Sequence, residues 1–117
     1  MLMKAILDRS SDAAPYVSVP VERSSMSDAV SLIIVNYNSG RYLQSCVASV
    51  LHQVNEVVVV DNASTDGSRE KLEAIFECDQ KLQVVRNRAN RGFAAACNQG
   101  LEMSSGRYLF FLNPDCV

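Results

Sequence analysis

Val30-Ser31-Leu32-Ile33-Ile34-Val35, followed at once by Asn36-Tyr37-Asn38-Ser39-Gly40, is the stretch from which the fold can be read. The apolar run is unbroken, rich in β-branched residues and of strand length, as expected of a strand covered on both faces. The polar pentapeptide ends it. Tyr42, Leu43, Cys46, Val47, Val50 and Leu51 then recur at helical spacing, with Asn38 or Ser39 available to cap the first turn. Strand, polar turn and amphipathic helix together make one crossover unit.

The unit repeats downstream. Val57 to Val60 is a second buried strand, Asp61 to Gly67 a polar turn, and Leu72, Ile75 and Phe76 mark a second helix. Leu82 to Val85, the loop Arg86 to Arg91 and a helix carrying Phe93, Cys97, Gly100 and Leu101 make a third unit. Tyr108 to Leu112 closes the series after Ser105-Gly106. Crossovers this short require parallel strands with right-handed connections and helices packed on the sheet. The expected fold class is therefore α/β, a mainly parallel sheet with helices on both faces, and it is taken as doubly wound in the order 3-2-1-4, counted from the Val30 strand, without the crossovers alone fixing that order. In that order the first and fourth strands are neighbours that lead to opposite sides, and the crevice at their carboxyl ends is the expected ligand site. Asn36-Tyr37-Asn38 would then face Asn113-Pro114-Asp115 across it.

Upstream of this array, residues 1–28 are rich in Ser, Asp, Ala and Pro and read as an irregular leader, with a short strand around Tyr16 to Val21 as the alternative. The whole chain has 117 residues and 48% hydrophobic content. That suits one domain, burying roughly two thirds of the surface its unfolded form exposes. Eleven basic against 13 acidic side chains give a net charge of -2, which excludes a long-range positive field toward nucleic acid or anionic lipid. Any phosphate binding must be local.

Cys46, Cys78, Cys97 and Cys116 form no CxxC pair, and His52 is the only histidine, which argues against a zinc ribbon and for a reduced, cytoplasmic chain. Cys46, Cys78 and Cys97 fall in apolar patterns and read as small hydrophobes. No apolar run reaches the ~18 residues of a membrane span, and the N-terminal residues lack a secretory-signal pattern.

Three turns at carboxyl ends of strands hold more polar groups than a tight turn needs. There is no GxGxxG after the first strand and no GxxxxGK[ST] anywhere, so the dinucleotide and P-loop readings lose their main support. Four blocks remain: Val30 to Asn38; Glu56-Val57-Val58-Val59-Val60-Asp61-Asn62-Ala63-Ser64-Thr65-Asp66-Gly67-Ser68; Asn90-Arg91-Gly92-Phe93-Ala94-Ala95-Ala96-Cys97-Asn98-Gln99-Gly100; and Leu112-Asn113-Pro114-Asp115. In order and spacing they resemble the family 2 glycosyltransferases over residues 30–117, and the Asn-Pro-Asp and Gly-Phe-Ala-Ala variants are similar to the rhamnosyltransferase-like branch.

The resemblance implies the nucleotide-binding half of a GT-A fold in residues 29–117, with the donor a nucleotide-diphospho-sugar built on UDP or dTDP. It gives Asp61 the role of accepting a hydrogen bond from the base imide, and the residue chemistry alone also allows a turn cap. Val35, through its backbone, and Tyr37 would line the base pocket. Gly92 would let backbone approach the ligand. Arg86, Arg88 and Arg91, before a helix N-terminus, would hold diphosphate or ribose. Asp66 reads as a helix cap ahead of Gly67 and Ser68.

Asn113 would bond ribose or a metal-bound water, and Asp115 would hold Mg²⁺ or Mn²⁺. The resemblance places the general base of an inverting transfer beyond Val117, with the acceptor, a glycan or lipid-linked group, bound there too. The chain is thus expected to be a truncated half, cytoplasmic or peripheral to the membrane in the full-length protein. It is also expected to self-associate through an uncovered sheet flank at Tyr108 to Leu112. The alternative is a non-catalytic nucleotide-binding or protein-interaction module derived from the same fold.

Overall fold

The structure, a computed structural model, describes residues 3–8 and 29–114. Its elements in chain order are β1 (Met3–Asp8), β2 (Val30–Asn36), α1 (Arg41–Val50), β3 (Glu56–Asp61), α2 (Ser68–Ile75), β4 (Leu82–Arg86), α3 (Phe93–Met103) and β5 (Tyr108–Leu112). They build a five-stranded sheet in the order β1-β5-β2-β3-β4. The four strands from β2 onward are mutually parallel and occur in the expected 3-2-1-4 order, with β1 added antiparallel to β5.

Alternation along β2 and β3 explains why their sequences are apolar throughout. Leu32, Ile34, Val57 and Val59 point to one face and pack with Leu43, Cys46, Val47 and Val50 of α1 and Leu72 of α2. Ile33, Val58 and Val60 point to the other and pack with Ala96 of α3 and Leu109 of β5. Successive strand side chains face opposite sides, so only a strand with helices on both faces needs every position apolar.

Gly100 sets how close α3 lies to the sheet. A Cβ there would sit 2.4 Å from Ile33 Cγ2, inside any tolerable contact.

Four expectations change. The leader is not irregular throughout, because Met3–Asp8 is a strand. It pairs with β5 from Met3 opposite Leu112 to Asp8 opposite Tyr108, so the flank expected to drive self-association is occupied by the chain itself. An edge strand offers a row of unpaired backbone donors and acceptors, which any available extended segment can satisfy. The alternative strand at Tyr16 to Val21 lies outside the described residues.

Cys46 is buried and Cys97 half-buried, but Cys78 is exposed, in the turn that follows α2. The cap of α1 differs too. Its N-cap is Gly40, with no side-chain cap bond. Asn38 is turned away by its left-handed backbone, φ 52, and its Oδ1 accepts from the Thr65 amide at 2.8 Å.

Candidate nucleotide-binding cleft

Strand register brings the polar turns together. Asn36 of β2 is opposite Asp61 of β3, and Asp61 is opposite Arg86 of β4. On the other side Leu112 of β5 is opposite Ile34, so Asn113 follows beside Val35.

Beneath this row lies a buried polar knot. Asn36, fully buried, donates through Nδ2 to Asp61 Oδ1 at 2.8 Å, Ser64 Oγ at 3.1 Å and Ser68 Oγ at 3.0 Å. Asp61 is 2% exposed. Its Oδ2 accepts from the Ser64 amide at 3.2 Å and faces Arg69 Nε at 3.5 Å. Buried polar groups must be paired, and among the described residues no buried side-chain nitrogen or oxygen lacks a partner.

Asp66 holds the starts of two helices at once. Its Oδ1 accepts from the Ser68 amide at 3.0 Å and the Ser68 hydroxyl at 2.6 Å, where α2 begins. Its Oδ2 accepts from the Gly40 amide at 2.8 Å, at the N-cap of α1. Desolvation pushes the Asp66 carboxyl up, but the bonds donated by Ser68 and Gly40 together outweigh it and hold the pKa below the ordinary value. The N-cap of α2 is Gly67, without a side-chain cap bond; Asp66, one residue earlier, instead ties the starts of α1 and α2 together.

Asn62 organises the third turn. Its Oδ1 accepts from Asn87 Nδ2 at 2.9 Å and the Arg91 amide at 3.3 Å, and its Nδ2 donates to Gly92 O at 3.2 Å. Asn87 and Gln99 exchange two side-chain bonds, both 2.8 Å, tying the loop to α3. Asn90 Oδ1 accepts from the Gly92 amide at 2.8 Å. Gly92 itself has φ 85 and precedes the first residue of α3, a conformation that glycine adopts without strain.

Above these turns opens a cleft of about 340 Å³. Val35, Tyr37, Gly92 and Asn113, singled out in the sequence, all line it, with Pro114 beside Asn113. Ser39, Asn62, Asn90 and Phe93 complete the wall. Asp61 does not line it and lies in the knot below. Asp115 is outside the described residues, directly after the cleft-lining Pro114.

The arginines divide. Arg86 is forked onto Glu73, with Nε at 3.0 Å from Oε2 and a second, shorter bond from its terminal nitrogen. Arg88 and Arg91 are exposed. Asn62 and Asn90 carried a signal that sequence reasoning passed over: asparagines at a strand end and before a glycine are favoured where a side chain must bond backbone. Phe93 carried none, because on a helix it reads as a core residue.

A larger hollow of about 420 Å³, between α2 and the β4 edge, is lined by Glu73, Phe76, Glu77 and Leu82 among others. It shares no residue with the turns at the carboxyl ends of β2 and β5. The cleft therefore holds the better-placed groups: aromatic and apolar walls, with amide and hydroxyl edges suited to a heterocycle and sugar hydroxyls. Among the described residues no three His, Cys, Asp or Glu side chains gather to hold a metal. The cleft's own donors are neutral oxygens, of the hard type that suits Mg²⁺ or Mn²⁺ rather than a soft ion.

Residues 31–117 match Glycosyl transferase family 2. The chain belongs to that family. It is 40% identical over 89 residues to the TuaG protein of Bacillus subtilis (strain 168), covering 74% of this chain and 35% of TuaG. With glycosyltransferase GlyG of Streptococcus pneumoniae serotype 4 it is 33% identical over 95 residues, 79% of this chain and 32% of GlyG. The family 2 chain thus spans about a third of the length of these relatives.

Among solved structures it is similar to the mannosyltransferase PcManGT from Pyrobaculum calidifontis, in complex with GDP-Man and Mn²⁺. The TM-score is 0.68 at 28% identity, over 74% of this chain and 27% of that one. Residues 1–349 of Staphylococcus aureus TarS, in complex with UDP, give a TM-score of 0.63 at 28% identity, over 74% of this chain and 27% of that 1–349 chain. The shared architecture is the GT-A fold, and no helix among the described residues is long and apolar enough to cross a membrane.

Proposed function

We propose that this chain is the donor-binding half of a metal-assisted, inverting glycosyltransferase, and that its cleft takes the nucleoside diphosphate of an activated sugar. The observation that carries the reading is the convergence of Val35, Tyr37, Gly92 and Asn113, from three turns, on one cleft at the carboxyl ends of β2 and β5. Open α/β sheets bind ligands at such a switch point. PcManGT, of the same fold, is in complex with GDP-Man and Mn²⁺.

In this reading the base lies against Tyr37 and the Val35 backbone, the Gly92 turn lets the backbone come near the ligand, and Asn113 bonds the ribose or a metal-bound water. Asp61 supports this cleft from below, its Oδ1 accepting from Asn36 and its Oδ2 from the Ser64 amide, rather than reaching the base imide itself. Asp115 is the protein ligand for Mg²⁺ or Mn²⁺, which when bound neutralises charge on the departing diphosphate. The donor is a UDP- or dTDP-sugar and the acceptor a glycan or lipid-linked group, as in a rhamnosyltransferase-like enzyme. The general base belongs to the part of the longer protein that follows the donor half. The proposed cytoplasmic location is supported by cysteines with no pairing pattern.

Calorimetric titration of UDP, dTDP and GDP, with and without Mn²⁺, tests this. The expected result is Mn²⁺-enhanced binding of UDP or dTDP that Asp115→Ala weakens at least ~10-fold, the loss of one charge-assisted contact. Equal binding by wild type and Asp115→Ala would overturn the metal assignment, and no nucleotide binding at all would overturn the reading.

A further inference from the structure

Phe93 occupies an unusual position on its helix. Phe93, Ala96 and Gly100 are three and four residues apart and share one stripe of α3. Ala96 is fully buried, and Gly100 packs on Ile33 of the sheet. Phe93, one turn earlier, lies beyond the ends of the strands, remains 48% exposed and lines the cleft.

The residue before it, Gly92, is held through both its amide and its carbonyl. Gly92 donates its amide to Asn90 Oδ1 at 2.8 Å and accepts at its carbonyl from Asn62 Nδ2 at 3.2 Å. The residue that presents the ring is therefore set by a hydrogen-bonded turn rooted in β3, which pre-positions an apolar surface facing solvent. Tyr37, 53% exposed, is the second aromatic side chain in the same cleft, while Ser39, Asn62, Asn90 and Asn113 supply its polar groups. Flat apolar faces bordered by amide donors and acceptors fit a planar heterocycle with polar edges.

We infer that Phe93 is the stacking platform for the nucleobase of the donor and, with Tyr37, positions it in the cleft. The inference rests on the donor-binding reading above and adds to it a residue that fixes which part of the ligand is held there. Stacking of a base on an aromatic side chain tolerates any base, so Phe93 supplies affinity while the amide edges select among bases.

The test uses the 117-residue chain, which contains no tryptophan. Phe93→Trp therefore adds a single indole at the platform. Its emission should be quenched by UDP and left unchanged by ribose phosphate, which lacks a base. By calorimetry, Phe93→Ala and Phe93→Leu should each bind UDP about 10-fold more weakly, with ribose phosphate affinity unchanged, and Phe93→Tyr should restore UDP binding. Leucine keeps the apolar bulk and loses the flat face, so it separates stacking from packing. Thermal melts establish that each variant is folded.

Wild-type UDP affinity in the leucine variant, or equal weakening toward UDP and ribose phosphate, would overturn the platform and leave the donor cleft standing. A wild-type chain that binds no nucleotide would overturn both.

Discussion

Ala63 and Asp66 show at single positions how the β3–α2 turn is held. Ala63 has φ 64, a left-handed conformation that a residue with a Cβ adopts at a cost. Replacing it by glycine removes that cost and adds some unfolded-state entropy, so Ala63→Gly should stabilise the fold by up to about 1 kcal/mol in urea denaturation. Asp66→Ala should act oppositely, since it strips acceptors from the Ser68 amide and hydroxyl and the Gly40 amide. Loss of a side-chain acceptor at a helix start costs about 1 kcal/mol, and solvent screening at this exposed site puts the effect at the low end. Because the folded carboxyl is depressed, its contribution is present above the ordinary carboxylate range. It disappears as pH falls through the folded value, and the gap between wild type and Asp66→Ala should close in acid. A gap constant from neutral pH to acid would show that the charge on Asp66 plays no part. At this scale the sequence marked Asp66 for the start of α2 but not for that of α1, because Gly40 is distant along the chain and reaches Asp66 only after the sheet forms.

Among the elements, α3 depends most closely on one residue. The Cβ of Gly100→Ala would lie 2.4 Å from Ile33 Cγ2, so the helix must lift from the sheet or Ile33 must shift. Overpacking of this kind costs about 1–3 kcal/mol. Ile33→Ala, which creates a cavity in the same layer, should cost about 2–5 kcal/mol alone. The double variant should lose less than the two losses combined, and a strictly additive result would show that the contact does not set the helix height. Lifting α3 would also move Phe93 and the Gly92 turn, so Gly100→Ala should weaken nucleotide binding although Gly100 lies outside the cleft. The helices and the four parallel strands were legible from period alone, since short unbroken β-branched runs suit a doubly covered strand and three-and-four spacing suits a one-faced helix; the Met3–Asp8 strand was not. Helix starts were less so. Asn38 and Ser39 suit a cap on α1 by type, yet the left-handed turn at Asn38 points its side chain to Thr65 instead.

For the molecule as a whole, the added strand matters most. With β1 paired to β5, the sheet is bounded there by a strand of the chain's own, and removal of residues 1–8 should reopen that edge. Concentration-dependent association of the shortened chain, with a monomeric full chain, is the outcome expected in sedimentation; identical behaviour of the two would show that β1 gives no protection. The two-faced core, the parallel strands and the placing of Asn36-Tyr37-Asn38 opposite Asn113-Pro114-Asp115 followed from the sequence pattern, while Val35 and Gly92 were singled out by the family resemblance. Apolar periodicity and right-handed crossovers leave little freedom for the layering of the sheet once the turns are placed. Three things were decided only in the tertiary structure: the pairing of Met3–Asp8 with a strand a hundred residues away, the burial of Asp61 beneath the cleft while Asn62 lines it, and the exposure of Phe93. The physical reason is common to all three. An edge strand, a carboxylate or amide, and a ring at a helix end each have several acceptable partners, and the partner taken depends on what the folded sheet brings within reach.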